Sequence, residues 1–162
     1  MKIRVRQLHM SDRALPVSGE VTLDLGSEYT LQLPARFQGE CLSLGDGMIL
    51  VTGTLCLTVH GACARCTKPA SLAMEVPFSE RFTREEDEEE EIYPYFGDEL
   101  DLQPALQEAA LMALPTRLLC KEDCRGLCPV CGADNNERNC GCIRNSSSPF
   151  SVLKQLDLPE EV

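Results

Sequence analysis

The chain contains no tryptophan, and three tyrosines and five phenylalanines are all its aromatics in 162 residues. Platforms for stacking nucleobases are therefore scarce. Histidine is as scarce, with two copies. Neither His9 nor His60 is followed by x-Glu, so the signature of a zinc deaminase is missing. Two histidines without nucleophile-elbow glycines also disfavour a serine triad. Gly45-Asp46-Gly47 lacks the Lys-Ser/Thr of a phosphate-cradling loop. No stretch approaches the roughly 18 apolar residues of a membrane span. The N-terminal segment mixes Lys2, Arg4, Arg6, His9, Asp12 and Arg13 with apolar residues, unlike a secretory signal. Basic residues are in deficit, at 15 Lys+Arg against 26 Asp+Glu, a net charge of -11. That balance opposes tight nonspecific binding to nucleic acid. The ten cysteines fall below the roughly 8–10% of a disulfide scaffold. These features predict a soluble cytoplasmic protein in which clustered thiols bind metal.

The acidity is local. Ten acids and no base lie between positions 85 and 101, and the rest of the chain is nearly neutral. The unbroken run Glu85, Glu86, Asp87, Glu88, Glu89, Glu90, Glu91 repels itself and reads as an extended solvated segment. It is either a solubilising loop or a docking surface for a basic partner. Tyr93, Tyr95 and Phe96 follow at once, as anchors for a partner or for the loop's own core.

Period-two alternation dominates the first 80 residues. Ile3 and Val5, then Val21, Leu23 and Leu25, then Leu31 and Leu33 read as strands. Met48–Val51, Leu55–Val59 and Leu72–Val76 follow. After the acidic run, Asp98 or Asp101 can cap a helix with Pro104 in its first turn. Leu102, Leu106, Ala109, Ala110 and Ala113 share one helical face, and Pro115 ends it. The predicted fold class is α+β: an antiparallel β-sheet or open barrel, one packed helix and a C-terminal zinc-bound cysteine-rich segment. The expected organisation is a β-rich body over 1–84, an acidic flexible loop over 85–97 and a packed helix over 98–119. A zinc segment over 120–144 and a linker with a short amphipathic tail over 145–162 complete it.

Cys63-Ala64-Arg65-Cys66 falls between two predicted strands, where a two-residue gap lets both thiolates face one ion. Cys120 and Cys124 form a second pair. Cys128-Pro129-Val130-Cys131-Gly132 and Cys140-Gly141-Cys142 can surround one tetrahedral zinc by themselves. The preferred partition is two zinc sites, Cys63, Cys66, Cys120 and Cys124 in one, Cys128, Cys131, Cys140 and Cys142 in the other. The alternative is a single zinc site drawn from the C-terminal six cysteines, with Cys63 and Cys66 free or paired by oxidation. His60 could replace a thiolate but reads better as a solvent-facing strand residue. Cys41 and Cys56 read as buried apolar residues. A closed four-cysteine site leaves no position for a catalytic water, so an enzyme is not expected. Arg65, Lys68, Lys121, Arg125 and Arg138 flank the cysteines and are candidate RNA contacts.

The order Gly53…Cys63-x-x-Cys66, acidic middle, Leu114-Pro115, Cys120…Cys124-Arg125-Gly126-Leu127-Cys128-Pro129-Val130-Cys131-Gly132…Cys140-Gly141-Cys142 resembles the YceD family. Its members are known as large ribosomal RNA subunit accumulation proteins. Pro149-Phe150-Ser151-Val152-Leu153-Lys154-Gln155-Leu156 is similar to the family's tail. The chain departs from the family pattern at Ala133-Asp134-Asn135-Asn136 and at Ser147-Ser148-Pro149. The resemblance implies a role in synthesis, processing or accumulation of large-subunit ribosomal RNA, without a reaction. The expected partner is a basic ribosomal protein or a pre-ribosomal particle, with no membrane and no small-molecule substrate. Direct RNA binding and a thiol/zinc redox sensor are the rival expectations.

Overall fold

The computed structural model describes residues 1–6, 8, 13–31, 34–84 and 92–142. The acidic run Glu85–Glu91, the expected strand around Leu33 and the tail over 145–162 lie wholly or partly outside the described residues. Eight strands and one helix occur among those described. They are β1 (Lys2–Arg4), β2 (Leu15–Val21), β3 (Thr30–Leu31), β4 (Ala35–Gly45), β5 (Met48–Ala62), β6 (Pro69–Thr83), β7 (Tyr93–Pro94), β8 (Glu99–Asp101) and α1 (Gln103–Ala113). The main sheet has the order β2-β4-β5-β6-β7, with β3 also paired to β5. All its pairings are antiparallel except β6 with β7. It is an open sheet, because β2 and β7 end it without pairing to each other. A separate two-stranded ribbon joins β1 to β8. The fold is therefore α+β, with a mostly antiparallel sheet and one helix.

The long hairpin of β5 and β6 is the spine. On β5, Ile49, Val51, Leu55, Leu57 and Val59 are buried and alternate with more exposed residues, which fixes one face toward the core. Gly53 takes an inward position in this series. It pairs with Gly39 of β4. A Cβ on Gly39 would collide with the Thr52 carbonyl and lie 2.8 Å from Gly53 Cα. The Phe37 ring covers both glycines and meets Phe78 edge-on at 5.4 Å. Gly53 is therefore no break between two strands, as its composition implies, but the floor under an aromatic ring.

Helix α1 buries Ala105, Leu106 and Ala110 in the same core as the sheet. Leu102 is its N-cap residue, and Asp101 supplies the oxygen: Gln103 N–H donates to Asp101 Oδ1 at 3.0 Å. The Met1 ammonium lies 3.2 Å from the same atom. Val21, Leu23 and Leu25 are buried as their alternation predicts, yet the strand ends at Val21. Helix side chains take over the backbone there. Gln103 Nε2 donates to the Thr22 carbonyl at 2.6 Å, Gln107 Nε2 to that of Asp24, and Asp24 N–H donates to Gln107 Oε1 at 2.9 Å.

Cys41 is buried, and burial pushes its thiol up to about 11. Cys56 is exposed, against expectation, because it lies on the outward phase of β5. No described helix is long and apolar enough to cross a membrane. Replacing Gly53 by alanine forces a methyl into the β4 backbone. We expect a loss of about 1–3 kcal/mol, a fall of several degrees in Tm. An unchanged melting curve would show that the glycine contact is not tight.

Candidate metal centres

The turn of the β5–β6 hairpin carries the first pair of thiols. Ala62 pairs with Pro69, so Cys63–Lys68 makes the connection. Cys63 N–H donates to the Lys68 carbonyl at 2.8 Å, and Thr67 N–H donates back to the Cys63 carbonyl at 2.9 Å. Closing this loop places Thr67 in the left-handed region at φ 60°. Cys120 and Cys124 arrive from the segment after α1. That segment is pinned where Ala64 N–H donates to the Leu118 carbonyl at 2.8 Å and Tyr29 O–H to that of Pro115 at 2.7 Å. Cys63 Sγ and Cys124 Sγ are 3.8 Å apart, and Cys66 Sγ and Cys120 Sγ 3.6 Å. Cys63, Cys66 and Cys124 are buried beside Ala70 and Leu118, forming a satellite of the main core.

The second pair repeats the first. Cys128 N–H donates to the Ala133 carbonyl at 2.7 Å, and Gly132 N–H donates to the Cys128 carbonyl at 2.8 Å. Gly132 occupies the left-handed position at φ 72°. Five residues on and four residues back, the bonds match those around Cys63 and Thr67. The two knuckles are copies of one turn, with Thr in one and Gly in the other. Val130 N–H points at Cys128 Sγ from 3.4 Å. Cys140 and Cys142 close the group around Gly141, itself at φ 67°.

The structure thus gathers the eight cysteines into two tetrads, Cys63, Cys66, Cys120 and Cys124, and Cys128, Cys131, Cys140 and Cys142. Within each, the sulfurs lie within 4.8 Å of one another. Zinc–sulfur bonds of about 2.3 Å in a tetrahedron put sulfurs about 3.8 Å apart, so the measured 3.8 and 3.6 Å contacts already have the spacing of tetrahedral edges. His60 joins neither group, and its Nε2 is buried without a hydrogen-bond partner.

The electrostatics suit a cation. The Cys120 backbone N–H draws the Cys63 thiol down to about 6. The Cys131 and Val130 amides draw Cys128 to about 6. Two other thiols move the opposite way. Cys120 is pushed up to about 12, first by Cys66, and Cys142 to about 12, first by Cys131. Backbone dipoles favour thiolates, and thiolate–thiolate repulsion limits how many form together. A bound dication removes that limit.

The flanking cations are engaged inside the protein to different degrees. Arg65 donates to the carbonyls of Cys124 at 2.8 Å and Glu122 at 3.4 Å. Lys68 pairs with Glu137 at 2.6 Å and Asp134 at 2.7 Å. Lys121 lies 3.6 Å from Asp123. Arg125 and Arg138 have exposed side chains. Of the aromatics expected at a partner surface, Tyr95 is 2% exposed and bonds the Gly47 carbonyl, so it serves the core instead. Tyr93 is half-buried against Phe82 and donates to Glu108 at 2.6 Å. Phe96 is 69% exposed. Spacing alone did not reveal that Asp134 and Asn136 would bridge the tetrads. The likeness of Cys63–Lys68 to Cys128–Ala133 was the one available signal of twin turns.

Sheet, helix and tetrads together define a small α+β protein with two candidate cysteine-knuckle metal centres. The family described as "Large ribosomal RNA subunit accumulation protein YceD" matches residues 51–157. The chain belongs to that family. Among curated proteins, uncharacterized proteins of Mycobacterium tuberculosis and Mycobacterium bovis are 32% identical to it over 123 residues. The match covers 64% of this chain and 59% of each relative. An uncharacterized protein of Mycobacterium leprae is 28% identical over 90 residues, 52% of this chain and 42% of the relative. No solved structure matches significantly.

The twin turns differ in cost. A β-branched residue in the left-handed region is strained by about 1–2 kcal/mol relative to glycine. Gly132→Thr should therefore lower the Tm of the reduced, metal-loaded protein. Thr67→Gly should leave it level or raise it. Equal losses in both variants would contradict the shared geometry.

Proposed function

We propose that this protein is a non-enzymatic, zinc-stabilised factor in ribosome biogenesis. It acts in the cytoplasm, where thiols stay reduced. There it supports the accumulation of large-subunit ribosomal RNA by binding a basic ribosomal protein or an assembly intermediate. The observation that carries this reading is membership of the YceD family over a region that contains both tetrads. Zinc is the ion that four thiolates at tetrahedral spacing suit best. A closed tetrathiolate has no open position for substrate, so the ion's contribution is to fold the segment that carries it.

The acidic character of the chain supports a basic partner. A cleft of about 660 Å³ lies between β6 and α1. Val76, Ala105 and Ala109 line it with small apolar surface, and Glu80 and Glu108 supply negative charge. Met112 stands beside them at 83% exposure. Ile92, the first residue after the acidic run, and Tyr93 also line it. An amphipathic basic segment fits such a surface: apolar side chains into the cleft, Lys and Arg toward the carboxylates. The direct-RNA reading is weaker, because Arg65 and Lys68 are engaged with the protein's own groups.

Affinity capture of the reduced protein from cells at moderate salt should recover ribosomal proteins. Deleting residues 85–91, or Met112→Lys, should reduce recovery several-fold without changing the melting curve. Undiminished recovery from both variants would defeat the acidic-partner mechanism. Steeply salt-dependent binding to purified ribosomal RNA, lost in Arg125→Ala and Arg138→Ala, would establish the RNA reading instead. Metal analysis should give two zinc ions per chain. Chelator stripping should raise amide exchange throughout 120–142 and spare β4, β5 and β6. Protection that survives stripping would remove zinc from the account.

A further inference from the structure

The loop that carries the second tetrad also touches a sulfur of the first. Asn136 Nδ2 donates to Cys124 Sγ at 3.5 Å. Its neighbours fix the amide's orientation. Arg125 N–H, which can only donate, meets Oδ1 at 2.9 Å, while Nδ2 also reaches Asp134 Oδ1 at 2.7 Å. Asp134 is in turn held by Lys68 Nζ at 2.7 Å. Lys68 belongs to the first knuckle, where its carbonyl receives the Cys63 N–H. The ring of contacts closes from Cys124 through Asn136, Asp134 and Lys68 back to the first pair of thiols.

The second knuckle sets the position of this bridge. Asp134 forms a β-bridge with Leu127, and Ala133 accepts from Cys128 N–H. Asn136 N–H then closes a turn on Asp134 Oδ1 at 2.8 Å. On the opposite side, Leu127 N–H donates to the Arg65 carbonyl at 3.0 Å. Gly126 makes room there, since a Cβ would come 2.9 Å from that oxygen. One knuckle's tip is thus bonded into the other's base.

We infer that Asn136 is a positioning residue of the first metal centre, and that the Asn136–Asp134–Lys68 bridge makes metal binding at the two tetrads cooperative. This rests on the zinc reading above. An N–H donated to a ligand sulfur stabilises its thiolate and holds its rotamer. Loss of such an outer contact costs about 10–100-fold in metal affinity. Because coupling is reciprocal, whatever factor the second tetrad lends to the first is returned.

The test uses the full-length protein, loaded with cadmium-113 for NMR and with zinc for chelator competition. Wild type should show two tetrathiolate cadmium resonances, and Cys128→Ser/Cys131→Ser identifies the second by its loss. Asn136→Ala retains all eight ligands. It should shift the first resonance and weaken zinc at that tetrad about 10–100-fold. Asn136→Asp keeps an acceptor for Arg125 N–H but lacks the donor, so it should not rescue. An asparagine that acted only by accepting the Arg125 N–H would be rescued. Lys68→Ala should weaken the first tetrad in the same direction, and it carries the test if Asn136→Ala fails to fold. Two bound metals with an unchanged first site in both Asn136 variants would overturn the coupling and leave the zinc reading standing. A wild-type chain that binds fewer than two metals would overturn both.

Discussion

The hydrocarbon that holds sheet and helix together runs out at Leu118. Among the described residues beyond it, only Cys124 and Cys128 are buried apolar side chains. A segment of that composition cannot offset the entropy of ordering its backbone by burial. Its remaining means are the gathered sulfurs and any ion they hold, backbone bonds between knuckles, and a few charged contacts. Everything in 120–142 is arranged around these. Cys124 enters the satellite cluster with Cys63, Cys66, Ala70 and Leu118. Leu127 and Asn135 make backbone bonds to Arg65 and Gly126. Without a shared ion each tetrad would be four crowded sulfurs, of which thiolate–thiolate repulsion lets only some ionise together.

The hairpin of β5 and β6 connects this region to the conventional core. One end of the ribbon buries Ile49, Val51 and Phe82, and the other end presents Cys63 and Cys66. Register is what makes the connection work. A slip of one residue would turn the whole β5 series from core to solvent, and the same slip would separate the thiol pair. The core thereby fixes the positions of two of the candidate ligand sulfurs, Cys63 and Cys66. The later cysteines must come to a place already set, and Leu118 brings them by accepting the Ala64 N–H. This division explains why one tetrad is long-range and the other local.

Legibility in the sequence followed the same division. Alternation identified the buried phase of β5 and of β6, and three- and four-residue spacing identified α1, because in those elements hydrocarbon decides. It missed β4, whose inward series Ala35, Phe37, Gly39, Cys41 is broken by a glycine that serves Phe37. It extended a strand through Leu25, because burial alternates there although Gln103 and Gln107 hold the backbone. Cys56 was assigned to the core by residue type, when strand phase puts it outside. Cysteine spacing was enough to suggest the two tetrads. It could not show that Asn136, in a stretch noted only for departing from the family pattern, would face Cys124.

The charges beside the cysteines carry the most instructive ambiguity. Arg65 and Lys68 next to a thiol pair read equally as RNA contacts or as internal counter-charges, since sequence gives proximity and not direction. Direction is what the fold supplies. Lys68 draws Asp134 down to about 2 and spans the gap between knuckles. Arg65 ties two carbonyls of the chain that delivers Cys124. A tetrathiolate holding a dication would stay net negative, and its field would disfavour a polyanion nearby. Of the cations beside the cysteines, Arg65 and Lys68 are engaged with the protein's own groups, whereas Arg125 and Arg138 stay exposed. Cations already occupied by internal acceptors are less available to phosphates, which favours the proposed basic partner over direct RNA contact.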